Sequence, residues 1–169
     1  MPETVDETVR ASGPADVPTS VTVTPAAVPV PDADSRPFWE AAAEGRLVLQ
    51  RCGACGRLRF PPAPVCSHCG SWDTTWDEVD GHGEVYSWVV VHHAVTPALR
   101  GEVPYAVALV ELAPGVRIPG RLTGVDHDAI AAGMPVRLVF HPVEGPWPVV
   151  GFVPAAGTDG AGDGDGSPA

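Results

Sequence analysis

The sequence predicts a mainly β protein in three successive parts: a short N-terminal helix, a small ribbon built on paired cysteines, and a five-stranded barrel. Three observations carry this. All four cysteines fall within "RCGACGRLRFPPAPVCSHCG", residues 51–70. Just ahead of them, "DSRPFWEAAAEGRL" carries helix punctuation. From residue 83 onward the chain turns into short β-rich runs broken by glycine, proline and aspartate.

The ends are of a different texture. Residues 1–34, "MPETVDETVRASGPADVPTSVTVTPAAVPVPDAD", hold six prolines and six acids against Arg10, with few bulky apolar side chains. Such a stretch cannot bury enough surface to offset chain entropy, so it is expected to be a disordered tail. Residues 156–169, rich in glycine and aspartate, read the same way. The N-terminus is acidic and broken by proline where a secretory signal is basic and then apolar. No apolar run approaches the roughly eighteen residues that span a bilayer. The expectation is a cytoplasmic protein without a membrane segment, whose cysteines stay reduced.

The helix is expected over 35–46. Asp34 or Ser35 is placed to cap it, Pro37 suits its first turn, three alanines fill it and Gly45 stops it. Phe38 and Trp39 are adjacent and therefore point in different directions. Packing against the following ribbon is the ordinary use of such rings. Docking onto a partner is the sharper one, and makes Phe38 and Trp39 the candidate partner contacts.

The ribbon, 47–80, reads as "RLVLQRC" leading into a first cysteine pair, "RLRFPP" leaving it, and "TTWDEVDG" after the second. The barrel, 81–155, reads as "GEVYSWVVVHH", "PYAVALVEL" and "GVRIPGRL", then a short capped helix in "DHDAIAAGM" with Asp126 and Asp128 as cap residues, then "PVRLVFHPV" and "PVVGFVP". In the first strand, Val85, Ser87 and Val89 alternate with Tyr86, Trp88 and Val90. Pro119 marks an edge or a bulge. Three strands, a short helix and two strands is the order of an OB-fold barrel.

The chemistry concentrates in the cysteines. Cys52 and Cys55 in "CGACG", and Cys66 and Cys69 in "CSHCG", are two Cys-x-x-Cys-Gly knuckles ten residues apart. Two intervening residues let both thiolates of a knuckle meet one ion, and the glycine takes the left-handed turn position. A reducing compartment disfavours disulfides, and a thioredoxin-type pair would be followed by a helix that "CGACGRLRFPP" does not offer. The reading is one structural Zn2+ in a rubredoxin-like zinc ribbon. Iron is the alternative metal, and with it an electron carrier. Four thiolates close the shell, so the metal has no open position for substrate.

The histidines form no ligand set. His92 and His93 are neighbours at a strand end, so one is expected to pack inward and the other to meet solvent. His68 lies within a knuckle already supplied with sulfur; His82, His127 and His141 are scattered. No nucleophile elbow, phosphate loop or dinucleotide fingerprint occurs. Arg51, Arg57 and Arg59 cluster on the ribbon, either as a solvated surface or as an anion contact, since guanidinium suits phosphate.

Taken together, "PFWEAAAEGRLVLQRCGACGRLRFPPAPVCSHCGS", "GHGEVYSWVVVHH", "VPYAVALVEL", "GMPVRLVF" and "GFVPA" resemble the zinc-ribbon/OB-fold family known as domain of unknown function 35, often called acyl-CoA-associated. The resemblance covers about residues 36–156 and implies a companion subunit of thiolase-superfamily enzymes or hotdog-type hydratases. Such enzymes perform thiolysis, hydroxymethylglutaryl-CoA synthesis or retro-aldol removal of sterol side chains. The partner would hold the catalytic groups, and this chain, carrying no such segment, would be a stand-alone non-catalytic subunit beside the acyl-CoA channel. Arg57 and Arg59 are then the candidates for the phosphates of coenzyme A. A single-stranded nucleic-acid-binding module is the competing reading. It calls for a positive groove with stacking aromatics, whereas the chain has a net charge of −11 and no lysine.

Overall fold

The computed structural model describes residues 29–94, 96–112 and 115–155; the expected tails fall outside them, apart from residues 29–34. The helix α1 (Arg36–Ala43) begins with Pro37 in its first turn. Its cap lies further upstream than expected. Asp32 Oδ1 accepts the Ser35 N–H at 2.8 Å and the Ser35 hydroxyl, while Ser35 Oγ accepts the Asp32 N–H at 3.1 Å. This reciprocal box prefaces the helix by one turn, so Ser35 serves Asp32 and makes no side-chain cap bond to α1. At the far end Gly45 takes φ +78°, and the Arg46 N–H returns to Ala41 O, as a Schellman closure requires.

The ribbon is a three-stranded antiparallel sheet of β1 (Val48–Cys52), β2 (Leu58–Arg59) and β3 (Thr74–Glu78), in the order β2-β1-β3. The barrel follows as β4 (His82–Val91), β5 (Tyr105–Leu112), β6 (Arg117–Leu122), β7 (Pro135–His141) and β8 (Val149–Pro154). It closes in the order β4-β5-β6-β8-β7, with β6 and β8 parallel at Arg121↔Gly151 and Leu122↔Phe152. That is the OB-fold arrangement the strand order predicts. In β5 the period of two is complete: Ala106, Ala108, Val110 and Leu112 are buried and the residues between them are not. Pro119 sits where β6 has β5 on one side and β8 has not yet joined, so its missing N–H breaks no second ladder.

Two expectations give way. The alternation along β4 is interrupted by a register shift between Val85 and Ser87, which makes Tyr86 the extra residue of a bulge. Past Glu84 the strand also leaves β7 and is flanked by β5 alone. Val85 is buried, whereas Tyr86, Ser87, Trp88 and Val89 are all exposed. The segment "DHDAIAAGM" forms only one 3-10 turn, His127–Ala129, and the side chain of Asp126 makes no cap bond. The chain opens at Ile130 (φ −70°, ψ 129°), whose side chain is buried; reaching the core takes precedence over continuing the turn.

One hydrophobic core runs through helix, ribbon and barrel. Phe38 of α1 and Leu47 and Leu49 of the ribbon belong to the same buried cluster as Val85, Ile118, Val136 and Phe152 of the barrel. Backbone bonds anchor the chain on either side of the joint: the Val79 N–H donates to Leu47 O within the ribbon and the Leu138 N–H to Gly81 O within the barrel. No helix of the described residues is long and apolar enough to cross a membrane.

Candidate metal centre and neighbouring surfaces

The two knuckles are built alike. In the first, the Cys52 N–H donates to Arg57 O and the Gly56 N–H to Cys52 O; in the second, the Cys66 N–H donates to Ser71 O and the Gly70 N–H to Cys66 O. Gly56 and Gly70 both take φ +73°, a left-handed turn that side chains with a Cβ adopt at a cost. The knuckles face one another with Cys52 Sγ 3.5 Å from Cys69 Sγ and Cys55 Sγ 3.7 Å from Cys66 Sγ. All four sulfurs lie within 4.8 Å of one another, and no disulfide joins them. A tetrahedron of zinc–sulfur bonds near 2.3 Å has edges of about 3.8 Å, so the cluster has the size for one ion.

Its electrostatics agree. Amide N–H groups of Cys69 and His68 hold the Cys66 thiol down at about 6. Those of Cys55 and Ala54 lower Cys52. The Ser71 amide favours a thiolate at Cys69 too, yet the adjoining Cys52 sulfur and burial push that thiol up to about 12. Four sulfurs this close cannot all ionise side by side unless a cation stands among them.

The arginines expected beside the site differ in use. Arg57 is exposed. Arg59 is turned into the ribbon, where Nε donates to Gln50 Oε1 and Nη2 to Ala63 O and Thr74 Oγ1, both at 3.0 Å. These bonds hold the second knuckle's lead-in against β1, so Arg59 is a brace within the ribbon and is corrected as a phosphate contact. Arg51 pairs with Asp77 at 2.6 Å. The rings of the helix divide likewise. Phe38 is 2 % exposed, packed edge-on against Trp39 at 5.1 Å and near Phe60 at 5.3 Å. It belongs to the core and is corrected as a partner contact, because α1 docks through the face that carries it. Trp39 is half-buried. Both His92 and His93 are exposed, against the expectation of one inward, since β4 has already ended at Val91.

Several polar residues of consequence carry little sequence signal. Gln50 is 3 % exposed and its Oε1 also accepts the Ala63 N–H at 2.8 Å; its one clue is a polar residue within the apolar run of β1. Arg121 pairs with Glu102 and lies over the Tyr105 ring at 4.7 Å, mostly buried. His141 is buried, with Nε2 lacking a hydrogen-bond partner and its proton affinity lowered by burial and by the nearby Arg121 charge. Large apolar side chains nonetheless reach solvent: Trp72 at the ribbon tip is 75 % exposed, and Tyr86, Trp88 and Val89 line the bulged half of β4.

Comparison with known proteins places both modules. Residues 39–73 match the family described as "ChsH2, rubredoxin-like zinc ribbon domain", and residues 76–141 match "ChsH2, C-terminal OB-fold domain". A probable enoyl-CoA hydratase alpha subunit of Thermomonospora curvata is 55 % identical over 104 residues, 60 % of this chain and 31 % of the relative. The 3-oxo-4,17-pregnadiene-20-carboxyl-CoA hydratase alpha subunit of Mycobacterium tuberculosis is 41 % identical over 119 residues, 65 % of this chain and 37 % of the relative. The chain thus spans about a third of the length of these two hydratase subunits. A solved structure, "Ltp2-ChsH2(DUF35) aldolase", superposes with a TM-score of 0.69 at 45 % identity, covering 76 % of this chain and all of the matched one. The matched module is a rubredoxin-like zinc ribbon, and its four cysteines are positioned to bind one metal ion. With ribbon and barrel matched in order, and with the solved relative covered end to end, this chain belongs to the ChsH2 zinc-ribbon/OB-fold family, DUF35.

Proposed function

We propose that this chain is a non-catalytic subunit of an acyl-CoA enzyme, and that its partner is a thiolase-superfamily protein performing thiolysis or retro-aldol cleavage in lipid or sterol side-chain degradation. The observation that carries the reading is the match of 76 % of this chain to the full length of a chain in the structure "Ltp2-ChsH2(DUF35) aldolase". The hydratase relative named for a pregnadiene carboxyl-CoA supports a steroid-type acyl group. The division of labour follows from the site. A zinc ion held by four thiolates has no position for substrate, and the described histidines join no acid–base pair in a cleft with a nucleophile.

What the chain offers a partner is surface. Trp72, Tyr86, Trp88 and Val89, and the half-buried Trp39 on α1, supply apolar area that a second protein would cover. Arg57, exposed and unpaired among the described residues, is the ribbon cation free to meet a coenzyme A phosphate at that interface. The cytoplasm is the compartment consistent with reduced cysteines.

The test is co-purification of the tagged chain from its host, identification of any stoichiometric companion, and acyl-CoA cleavage assays with and without this chain. A thiolase- or hydratase-like companion, inactive or unstable alone, is the expected result. Acyl-CoA turnover by this chain in isolation would overturn the reading.

A further inference from the structure

We infer that the seam between ribbon and barrel is a binding site for a small amphipathic carboxylate, with Arg137 as its anion contact. This inference stands on the cleft itself and not on the identity of a partner enzyme.

The cleft encloses about 490 Å³, within the range of small-molecule sites. Leu47 and Val79 from the ribbon side, and Leu138, Phe140 and Val153 from the barrel, give it apolar walls. Polar groups interrupt them: Arg46, Glu78, Thr123, Arg137 and His141, whose buried Nε2 has no hydrogen-bond partner. The Thr123 hydroxyl is buried and has no hydrogen-bond partner. Arg137, on β7 between His82 of β4 and Val153 of β8, is half-buried and pairs with no acid among the described residues.

The contrast with the other arginines gives this weight. Among the described residues Arg36, Arg57 and Arg100 also pair with no acid, but each is exposed; Arg59, half-buried and likewise without an acid, spends its guanidinium on Gln50, Ala63 and Thr74. Arg46, on the opposite lip of the cleft, is neutralised by Glu44 and Glu78. Glu78, the carboxylate lining this cleft, is therefore already engaged. Arg137 is left as a partly desolvated cation facing an apolar cavity, and such a charge calls for a counter-ion. A guanidinium fork matches the two oxygens of a carboxylate, and one unmatched positive charge suits a monoanion better than a doubly charged head. The apolar walls then take the body of the ligand.

Calorimetric titration of the zinc-loaded full chain with decanoate, and with decanol as the uncharged counterpart, tests this. The expected result is saturable one-to-one binding of decanoate, about ten-fold tighter than decanol. Arg137→Gln should bring decanoate to the level of decanol and leave decanol unchanged, whereas Arg36→Gln should alter neither. Absence of saturable binding, or decanoate affinity indifferent to Arg137→Gln in a folded protein, overturns the proposal. Val153→Trp, which fills the cleft from another wall, provides a second variant should Arg137→Gln fail to fold. It should abolish binding of both ligands, and retained binding would equally overturn the site.

Discussion

His141 lies across Gly151 on the neighbouring strand, so closely that a Cβ built on Gly151 would stand 2.4 Å from the imidazole Nε2 and 3.1 Å from the carbonyl oxygen of Arg121. The glycine is required here for space and not for an unusual backbone angle. It lets a buried imidazole pack where β6, β8 and β7 meet. Gly151→Ala should therefore destabilise the protein by about 1–3 kcal/mol through overpacking. Denaturant titration measures this, and adding His141→Ala should return part of the loss, because the two residues are in contact.

The same imidazole makes stability depend on pH. Burial, and then the Arg121 charge, lower the proton affinity of His141 in the folded chain below its ordinary value of 6.5. The unfolded chain thus binds the proton more readily. The contribution is complete above the unfolded value and is lost as pH falls below it toward the folded one. Thermal melts between pH 8 and pH 5 should show the wild type losing stability faster than His141→Gln on the acid side. Parallel curves would refute the assignment.

Zinc removal should not be a local event. Apparent binding free energies of structural zinc in small peptides reach about 10–16 kcal/mol, as large as the whole stability of an ordinary domain. Phe38, Leu47 and Leu49 share their core with barrel residues, so loss of the ribbon strips one side of the barrel. Cys66→Ser should lower zinc content below one ion per chain and lower the melting temperature of the barrel along with that of the ribbon. A variant with a full zinc complement and native melting would contradict this.

Gln50 and Arg59 offer a further test within the ribbon. Gln50→Leu leaves the Arg59 Nε–H and the Ala63 N–H without their shared acceptor. Each buried donor left unpaired costs about 1–3 kcal/mol. Arg57→Gln, by contrast, should change stability by no more than about 0.5 kcal/mol, as exposed substitutions do. Paired equilibrium unfolding of the two variants distinguishes a brace from a surface cation.

What could be read from the sequence was what local rules govern. The two knuckles follow from Cys-x-x-Cys-Gly spacing, the helix end from Gly45, and the inward set of β5 from strict alternation. The features that escaped depend on partners far along the chain. Adjacent rings on a helix point about 100° apart, but whether Phe38 or Trp39 meets the core is decided by Phe60, more than twenty positions away. The bulge at Tyr86 has no glycine or proline beside it to announce it. Gln50, Arg59 and His141 are polar letters whose burial is set by the sheets folding over them. Arg57 and Arg59 look alike in sequence, and only their neighbours separate a solvated charge from an internal one.

Only three residues, Val79 to Gly81, lie between the last strand of the ribbon and the first of the barrel; the Val79 N–H is tied to Leu47 O within the ribbon, the Gly81 carbonyl to the Leu138 N–H within the barrel, and the two modules share one core. There is no slack to absorb rotation. The zinc tip carrying Trp72 and the barrel flank carrying Trp88 are consequently held at a fixed separation and angle, as the two jaws of a gauge are. Any body that engages both must match that spacing from the outset, and a mismatch of shape cannot be corrected by bending between them.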